Sequence, residues 1–210
     1  MKRIFTLIAL FTITSLGAIA QFSFTVIRTP GTVQNALLGG PGLVLWDQPT
    51  AAKLAAVDLE YVSTVPSIAD QDASDFLQVR NFGFTIPSGA TIDAIEVRIT
   101  RKARGTGIKD NRLQLMKDGV LVGADWAETS NAWGTTDATV IYDGDGGIDP
   151  LWSESWTPAE INAEGFGLQF AIWKDGGFAG GDFADVNRIQ ISISYTALFL
   201  SYLPISMLRV

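Results

Sequence analysis

The chemistry open to this 210-residue chain is limited first by two absences, because it contains neither cysteine nor histidine. Disulfides, thiolate nucleophiles, zinc sites with Cys or His ligands and imidazole bases are therefore excluded. A pair of carboxylates remains, and such a pair can act in glycoside hydrolysis. The sequence does not place two carboxylates at the separation that this reaction needs. We therefore predict no catalytic residue and a non-enzymatic protein, with a small carbohydrate-active hydrolase as the alternative.

Three carboxylates, those of Asp143, Asp145 and Asp149, lie in one glycine-rich segment at residues 142–149. Hard oxygen ligands on a flexible turn are what Ca²⁺ prefers. Glu154 occupies the twelfth position counted from Asp143, but proline and tryptophan in between interrupt the helix-loop-helix calcium motif. The segment predicts either a Ca²⁺ site or a plain solvated turn, and no cofactor is required.

The six tryptophans suggest a carbohydrate-binding surface, because aromatic faces stack on sugar rings. The alternative is core packing, since a buried Trp contributes a large apolar area and needs one partner for its N–H. The candidates are Trp126, Trp133, Trp152, Trp156 and Trp173. We assign Trp152 and Trp156 to the core. Trp133 and Trp173 lie beside glycine-rich segments, so we predict that these two are exposed and bind a polysaccharide.

The basic residues of one segment form a cluster at Arg98, Arg101, Lys102, Arg104, Lys109 and Arg112. They can bind an acidic polysaccharide, a lipopolysaccharide phosphate or the acidic face of a neighbouring subunit, or they can be the solvated face of a strand and hairpin. The whole chain has a net charge of −7 at pH 7. Contacts to phosphate dominate sequence-independent binding of nucleic acid, and phosphate repels an acidic protein. We therefore expect no nucleic-acid partner.

The elements that must position these residues are strands. Residues 95–99 and 188–195 alternate apolar and polar side chains with the period of two expected of a half-buried strand. Asp118-Gly119 separates two short apolar runs and predicts a hairpin, because glycine accepts a positive φ. The runs that flank this turn are residues 113–116 and 120–122, and further strands are predicted at residues 22–28, 76–84, 138–142 and 166–173.

One short helix is predicted among these strands. Thr157-Pro158-Ala159-Glu160 has the hydroxyl, proline and glutamate of a capping box at a helix start, and Gly165 follows within two turns. Short strands separated by Gly, Pro and Asp, together with a single helix, predict an all-β fold. We expect one domain over residues 21–196, a β-sandwich of about eight or more strands.

The first twenty residues have the parts of a secretory signal peptide, namely a basic start, an apolar run at residues 4–16 and an A-x-A site that ends at Ala20. Cleavage is expected between Ala20 and Gln21, which leaves 13 basic against 22 acidic residues and a net charge of −9. The apolar run is shorter than the roughly 20 residues of a membrane-spanning helix, so no transmembrane segment is expected in the mature chain. The protein is predicted to be secreted or held at the cell surface.

Several sequence blocks together resemble a recurrent, largely uncharacterised β-sandwich module of phage structural proteins and bacterial exported proteins. These blocks are residues 84–98, 156–162, 165–170 and 191–196. The resemblance implies a jelly-roll-like sandwich and no catalytic residues. At the C-terminus, Leu203-Pro204-Ile205 resembles the start of the linker before the sorting domain of type nine secretion cargo of Bacteroidetes, although that sorting domain does not follow within the 210 residues.

The function predicted from the sequence is therefore surface recognition of glycan, or assembly into a surface or extracellular structure. A phage-type structural subunit is a further alternative, which the signal peptide argues against. The apolar tail at residues 197–210 bears on assembly, because it must be covered either by the domain's own core or by a neighbouring copy to which it adds a strand.

Overall fold

The computed structural model of the chain describes residues 18–36, 40–65, 67–176 and 182–201. The expected apolar run of the signal peptide lies outside these residues, as do the centre of the glycine-rich stretch after Asp175 and the end of the tail beyond Ser201. The signal peptide and the final part of the tail therefore remain predictions from the sequence.

Eleven strands lie in the described residues and pair into two antiparallel sheets. The six-stranded sheet contains, in spatial order, β3 (Leu45–Trp46), β4 (Val62–Val65), β11 (Phe183–Ser201), β6 (Thr91–Arg104) and β9 (Ala138–Tyr142), and β1 (Ala18–Arg28) also pairs with β11. The five-stranded sheet has the order β2 (Thr32–Asn35), β5 (Leu77–Arg80), β10 (Gly167–Lys174), β7 (Ile108–Lys117) and β8 (Val120–Val122).

The eight strands from β4 to β11 have the order of a jelly roll. In one sheet β4, β11, β6 and β9 are neighbours, and in the other β5, β10, β7 and β8 are neighbours. Successive strands therefore alternate between the layers or turn back within one, as two interlocked Greek keys do. The predicted all-β sandwich is confirmed.

The core lies between the two sheets. Successive side chains of a strand point to opposite faces, so every second residue of a strand faces this core. On β6 the side chains of Ile95, Val97 and Ile99 are buried, and on β11 those of Ile189 and Ile191 are buried too. Large aromatic side chains from strands and from the connections between them fill the remaining space, and several are among the largest fully buried groups, namely Trp46, Trp152, Phe166 and Phe170. The assignment of Trp152 and Trp156 to the core is confirmed by exposures of 0% and 8%.

Two local predictions are confirmed in detail. Asp118 and Gly119 have φ values of 48° and 80°, so both central residues of the β7–β8 hairpin are left-handed, as in a type I′ turn. Helix α1 (Pro158–Asn162) begins after Thr157, whose hydroxyl accepts a hydrogen bond from the Glu160 backbone N–H. The Glu160 carboxylate accepts in turn from the Thr157 backbone N–H, which completes the capping box.

The predicted strand at residues 76–84 is longer than the observed one. Strand β5 ends at Arg80 because Asn81 adopts a φ of 58° and Gly83 a φ of 65°, and neither conformation belongs to a strand. Phe82 and Phe84 still face the core, which is why the segment has the composition of a strand. The short strands β2, β3 and β4 were not predicted.

Strand β11 continues past Thr196, so the predicted boundary between domain and tail falls inside it. Its residues 191–201 pair with β1, from Arg28 opposite Ile191 to Ala18 opposite Ser201, and Ala197 is buried. The predicted cleavage site after Ala20 lies in β1, and a chain beginning at Gln21 keeps eight residues of that strand. Within the described ranges, no helix has the length and apolar character needed to cross a bilayer.

Candidate functional site

A buried carboxylate, that of Asp110 on β7, lies under the loops at one end of the sandwich and is 1% exposed. Its Oδ1 accepts a hydrogen bond of 2.8 Å from Nε1 of Trp133. Its Oδ2 accepts from the Tyr142 hydroxyl at 2.7 Å and from the Glu128 backbone N–H at 3.1 Å. Asp110 therefore ties β7 to β9 and to the connection between β8 and β9.

The charge of Arg101 on β6 balances this carboxylate. Its Nη2 lies 3.3 Å from Asp110 Oδ1, and its guanidinium carbon lies 4.3 Å from the centre of the Trp133 ring. Trp133 also stacks on Phe170, with ring centres 5.9 Å apart and an interplanar angle of 7°. Since Arg101 is 7% exposed, the pair satisfies the rule that a buried charge needs a partner.

The protonation of the network follows from its burial. Burial raises the pKa of Asp110, and the nearby Arg101 and the donors Tyr142 and Trp133 oppose that rise. Burial also raises the pKa of the Tyr142 phenol, and the adjacent Asp110 carboxylate raises it further. The phenol therefore stays protonated and remains a hydrogen-bond donor to Asp110 at neutral pH.

The prediction that Trp133 is exposed is wrong, since its exposure is 5%. The connection from β8 to β9 turns this residue inward, where its backbone N–H donates to the Ile108 carbonyl at 2.7 Å. Its indole N–H finds the acceptor it needs in Asp110. Trp133 is thus a core residue, and no ligand can stack on its ring while this packing holds.

Trp173 has a different environment. It follows Ile172, which faces the core, so strand alternation places Trp173 on the outer face of the five-stranded sheet, opposite Lys109 of β7. Its side chain is half-buried. It lines a cavity of about 280 Å³, here called the Trp173 pocket, together with Lys109, Asp110, Asn111, Thr129 and Asp175.

The charged groups of the Trp173 pocket are already paired. Lys109 Nζ lies 3.0 Å from Asp175 Oδ2, and Gln71 Nε2 donates to Asp175 Oδ1 at 3.1 Å. The bond from Lys109, followed by that from Gln71, lowers the pKa of Asp175. The pocket thus combines an aromatic ring, an amide and a hydroxyl, and the charges of Lys109 and Asp175 cancel each other. This composition suits a neutral ligand rich in hydroxyl groups.

A second cavity lies across Thr129 from the first. It has a volume of about 360 Å³, is lined by residues 126–130 and 140–146, and is here called the Trp126 pocket. Nε1 of Trp126 is buried and has no hydrogen-bond partner among the described residues. An unsatisfied buried donor of this kind costs about 1–3 kcal/mol. The sequence offered no signal that distinguished Trp126 from the other tryptophans.

The predicted calcium ligands are not gathered at one point. Asp143 and Asp145 line the Trp126 pocket, whereas the Asp149 carboxylate accepts a hydrogen bond of 2.6 Å from the Ser153 hydroxyl, which lowers its pKa. In the part of the chain that the structure describes, no group of three or more acidic side chains could hold a metal ion. The segment does not fit the expected Ca²⁺ site as it stands, and calcium binding stays a prediction.

The basic cluster is largely neutralised within the protein. Five of its members have acidic partners in the pairs Arg98 with Glu96, Arg101 with Asp110, Arg104 with Asp185, Lys109 with Asp175 and Arg112 with Asp125. The sixth, Lys102, lies with its ammonium 4.0 Å from the centre of the Tyr61 ring. Arg101 is buried and does not belong to a solvated face. For the other five members these contacts favour the interpretation as a solvated strand face and hairpin over an anion-binding site.

Comparisons of the chain with protein-family models, with curated proteins and with solved structures find no match. The resemblance to the β-sandwich module of phage and exported proteins therefore stays a prediction. The interpretation of the two pockets depends on their own residues.

Proposed function

We propose that the protein is an exported, non-enzymatic recognition module that binds a neutral polysaccharide through the Trp173 pocket. One observation carries the proposal. Trp173 is a half-buried aromatic residue on an outer sheet face, where it lines a pocket with the amide of Asn111 and the hydroxyl of Thr129. An aromatic surface beside a few polar groups that fix orientation is the usual composition of a small-ligand site.

The rigidity of the surroundings supports this proposal. Asp110, which also lines the Trp173 pocket, belongs to the buried network that holds the β8–β9 connection through the Glu128 backbone N–H. The ion pair between Lys109 and Asp175 joins the start of β7 to the residue after β10. A pocket whose walls are fixed before binding loses less conformational entropy when the ligand enters.

Affinity electrophoresis of the protein in gels that contain neutral soluble polysaccharides tests the proposal. We expect at least one glycan to retard the wild type and Trp173→Ala to abolish that retardation without changing the thermal unfolding temperature by more than a few degrees. The matched control is Tyr61→Ala, another half-buried aromatic residue that lies outside the Trp173 and Trp126 pockets. Normal mobility of the wild type on every neutral glycan would overturn the proposal.

Strand β1 supports a second candidate function, assembly between copies of this chain. β1 has eleven residues, and no described strand pairs with its outer edge, whereas the other edge strands β2, β3, β8 and β9 have five residues or fewer. It contains no proline or glycine and no charged residue before Arg28. Edge strands of this kind lack the devices that normally prevent pairing with another chain.

A second copy of β1 is the partner that this edge fits. In an antiparallel pair centred on Phe24, Phe22 faces Val26 and Ser23 faces Thr25, so apolar residues meet apolar ones and hydroxyls meet hydroxyls. The uncharged edge also allows two mature chains with a net charge of −9 each to approach without local repulsion.

Light scattering coupled to size-exclusion chromatography tests assembly. We expect the wild type to form dimers whose fraction rises with concentration, and the double variant Ser23→Lys, Thr25→Lys to remain monomeric, because each added lysine then faces a lysine of the other copy. Leu59→Lys, at a position that is 91% exposed in a loop, is the control. A wild type that is monomeric at every concentration, or a double variant that still dimerises, would count against this function.

A further inference from the structure

The Trp173 pocket and the Trp126 pocket are adjacent and share one lining residue. Thr129 lines both cavities and is exposed. Asp110 lines the first and Tyr142 the second, and the Tyr142 hydroxyl donates to Asp110 at 2.7 Å. The same buried pair therefore underlies both pockets, and the hydrogen bond from the Glu128 backbone N–H to Asp110 ties the segment next to Thr129 to β7.

Each pocket alone is small. Their volumes of about 280 and 360 Å³ lie just below and just above the lower end of the roughly 300–1,000 Å³ of sites that enclose a whole drug-sized ligand. Each contains one tryptophan, Trp173 in the first and Trp126 in the second. Two small aromatic pockets on either side of one exposed threonine fit a chain-like ligand better than a compact one.

The polar groups of the Trp126 pocket restrict the ligand's chemistry. The pocket contains the carboxylates of Glu128, Asp143 and Asp145 and no basic residue, so an anionic sugar would meet like charges there. Hydroxyl groups can donate to these carboxylates and can also supply the acceptor that Trp126 Nε1 lacks. Because that nitrogen is buried, the side chains over it must move slightly before a hydroxyl reaches it.

From this arrangement we infer that the ligand is an extended neutral oligosaccharide that lies across Thr129 and occupies both pockets at once. The inference rests on the proposed glycan recognition and adds to it the length of the ligand and the second site. Binding at two linked sites converts the second contact into an intramolecular one, so affinity rises with chain length until both pockets are filled.

Titration calorimetry with neutral oligosaccharides of one to six sugar units, prepared from the glycan that retards the wild type most, tests the inference. We expect the affinity to rise at least tenfold between the monosaccharide and the longest oligomer. Trp126→Ala should remove most of that rise, so that the longest oligomer binds little more tightly than the monosaccharide, whereas Trp173→Ala should weaken binding of every length.

A blocking variant keeps the test decisive if Trp126→Ala does not fold. Thr129→Arg places a bulky side chain between the pockets without removing either tryptophan, and it should reduce the hexasaccharide affinity to that of the monosaccharide. Thr136→Arg, at another exposed threonine of the β8–β9 connection outside both pockets, is its matched control.

The outcomes separate the two claims. Binding that depends on Trp173 but not on ligand length overturns the inference and leaves the proposed function intact. A length dependence that survives both Trp126→Ala and Thr129→Arg also overturns the inference, because the additional contacts would then lie elsewhere. No binding to any neutral glycan overturns the proposed function and the inference with it.

Discussion

Asp110 holds the loop end of the sandwich because its two oxygens accept donors from the connection before β9, from β9 itself and from Arg101. We expect Asp110→Asn to lower the free energy of unfolding by roughly 3–5 kcal/mol although it preserves shape, since it leaves Arg101 buried without its counter-ion and turns an NH₂ group toward donors. Urea unfolding measures this change.

The matched control for Asp110→Asn is the same substitution at exposed Asp145, which should change the free energy of unfolding by no more than about 0.5 kcal/mol. Equal urea midpoints for Asp110→Asn and the wild type would contradict the role assigned to the buried network.

The inward direction of Asp110 could not be predicted from the period of two. On β7 the core-facing residues are Ile108 and Asp110, but beyond them they are Leu113 and Leu115. Along β7 the core-facing residues therefore change from even-numbered to odd-numbered positions. The cause is that the pairing between β7 and β10 shifts by one residue between Ala171 and Ile172. One extra residue in a strand moves every later side chain to the other face, and alternation alone does not locate that residue. The indole N–H of Trp133 donates to Asp110, so the burial of Trp133 could not be predicted from the sequence for the same reason.

Among the elements, α1 owes part of its stability to an ionised group. The Thr157 backbone N–H, at 2.8 Å from Glu160 Oε2, lowers the pKa of Glu160 below its ordinary value of 4.5. A lowered folded-state pKa means that this contribution is complete above pH 4.5 and is lost as the pH falls through the folded value. We expect Glu160→Gln to lower the melting temperature at pH 7 and to have a vanishing effect as the pH falls below 4.5.

Scanning calorimetry across that pH range checks the role of Glu160. Glu164→Gln, at an exposed carboxylate just beyond α1, is the control and should follow the wild type throughout. Thr157→Ala removes the other half of the capping box and should cost about 1 kcal/mol at pH 7. An effect of Glu160→Gln that is constant with pH would assign its role to side-chain packing instead of charge.

The strands that the sequence predicted well are those with one buried and one solvated face. β6 and β11 follow that pattern over most of their length, and the β7–β8 turn has residues that accept positive φ. The short strands β2 and β3 escaped prediction because four and two residues cannot establish a period. The two pockets depend on segments brought together by the sheets, so the sequence named single lining residues, Trp173, Trp126, Asp143 and Asp145, but not the pockets that they line.

For the molecule as a whole, charge restricts the polysaccharides that the proposed site could bind. The net charge is −7, and five members of the basic cluster form ion pairs within the protein, so little positive potential remains to attract an anionic polymer. We therefore expect affinity electrophoresis to detect no retardation on polygalacturonate or alginate, even at low salt where charge interactions reach furthest. Retardation on the neutral glycan should be the same at low and high salt, because no ion pair with the ligand forms.

Salt dependence distinguishes this expectation from the anion-binding interpretation of the basic cluster. If Lys102 and its neighbours recognised acidic sugars, retardation on polygalacturonate would be present at low salt and would disappear at high salt, and Lys102→Gln would weaken it. That result would move the site from the Trp173 pocket to the six-stranded sheet, where Lys102 lies over Tyr61. Salt-independent retardation on neutral glycans alone, lost in Trp173→Ala and retained in Lys102→Gln, is the combination that the paired charges predict.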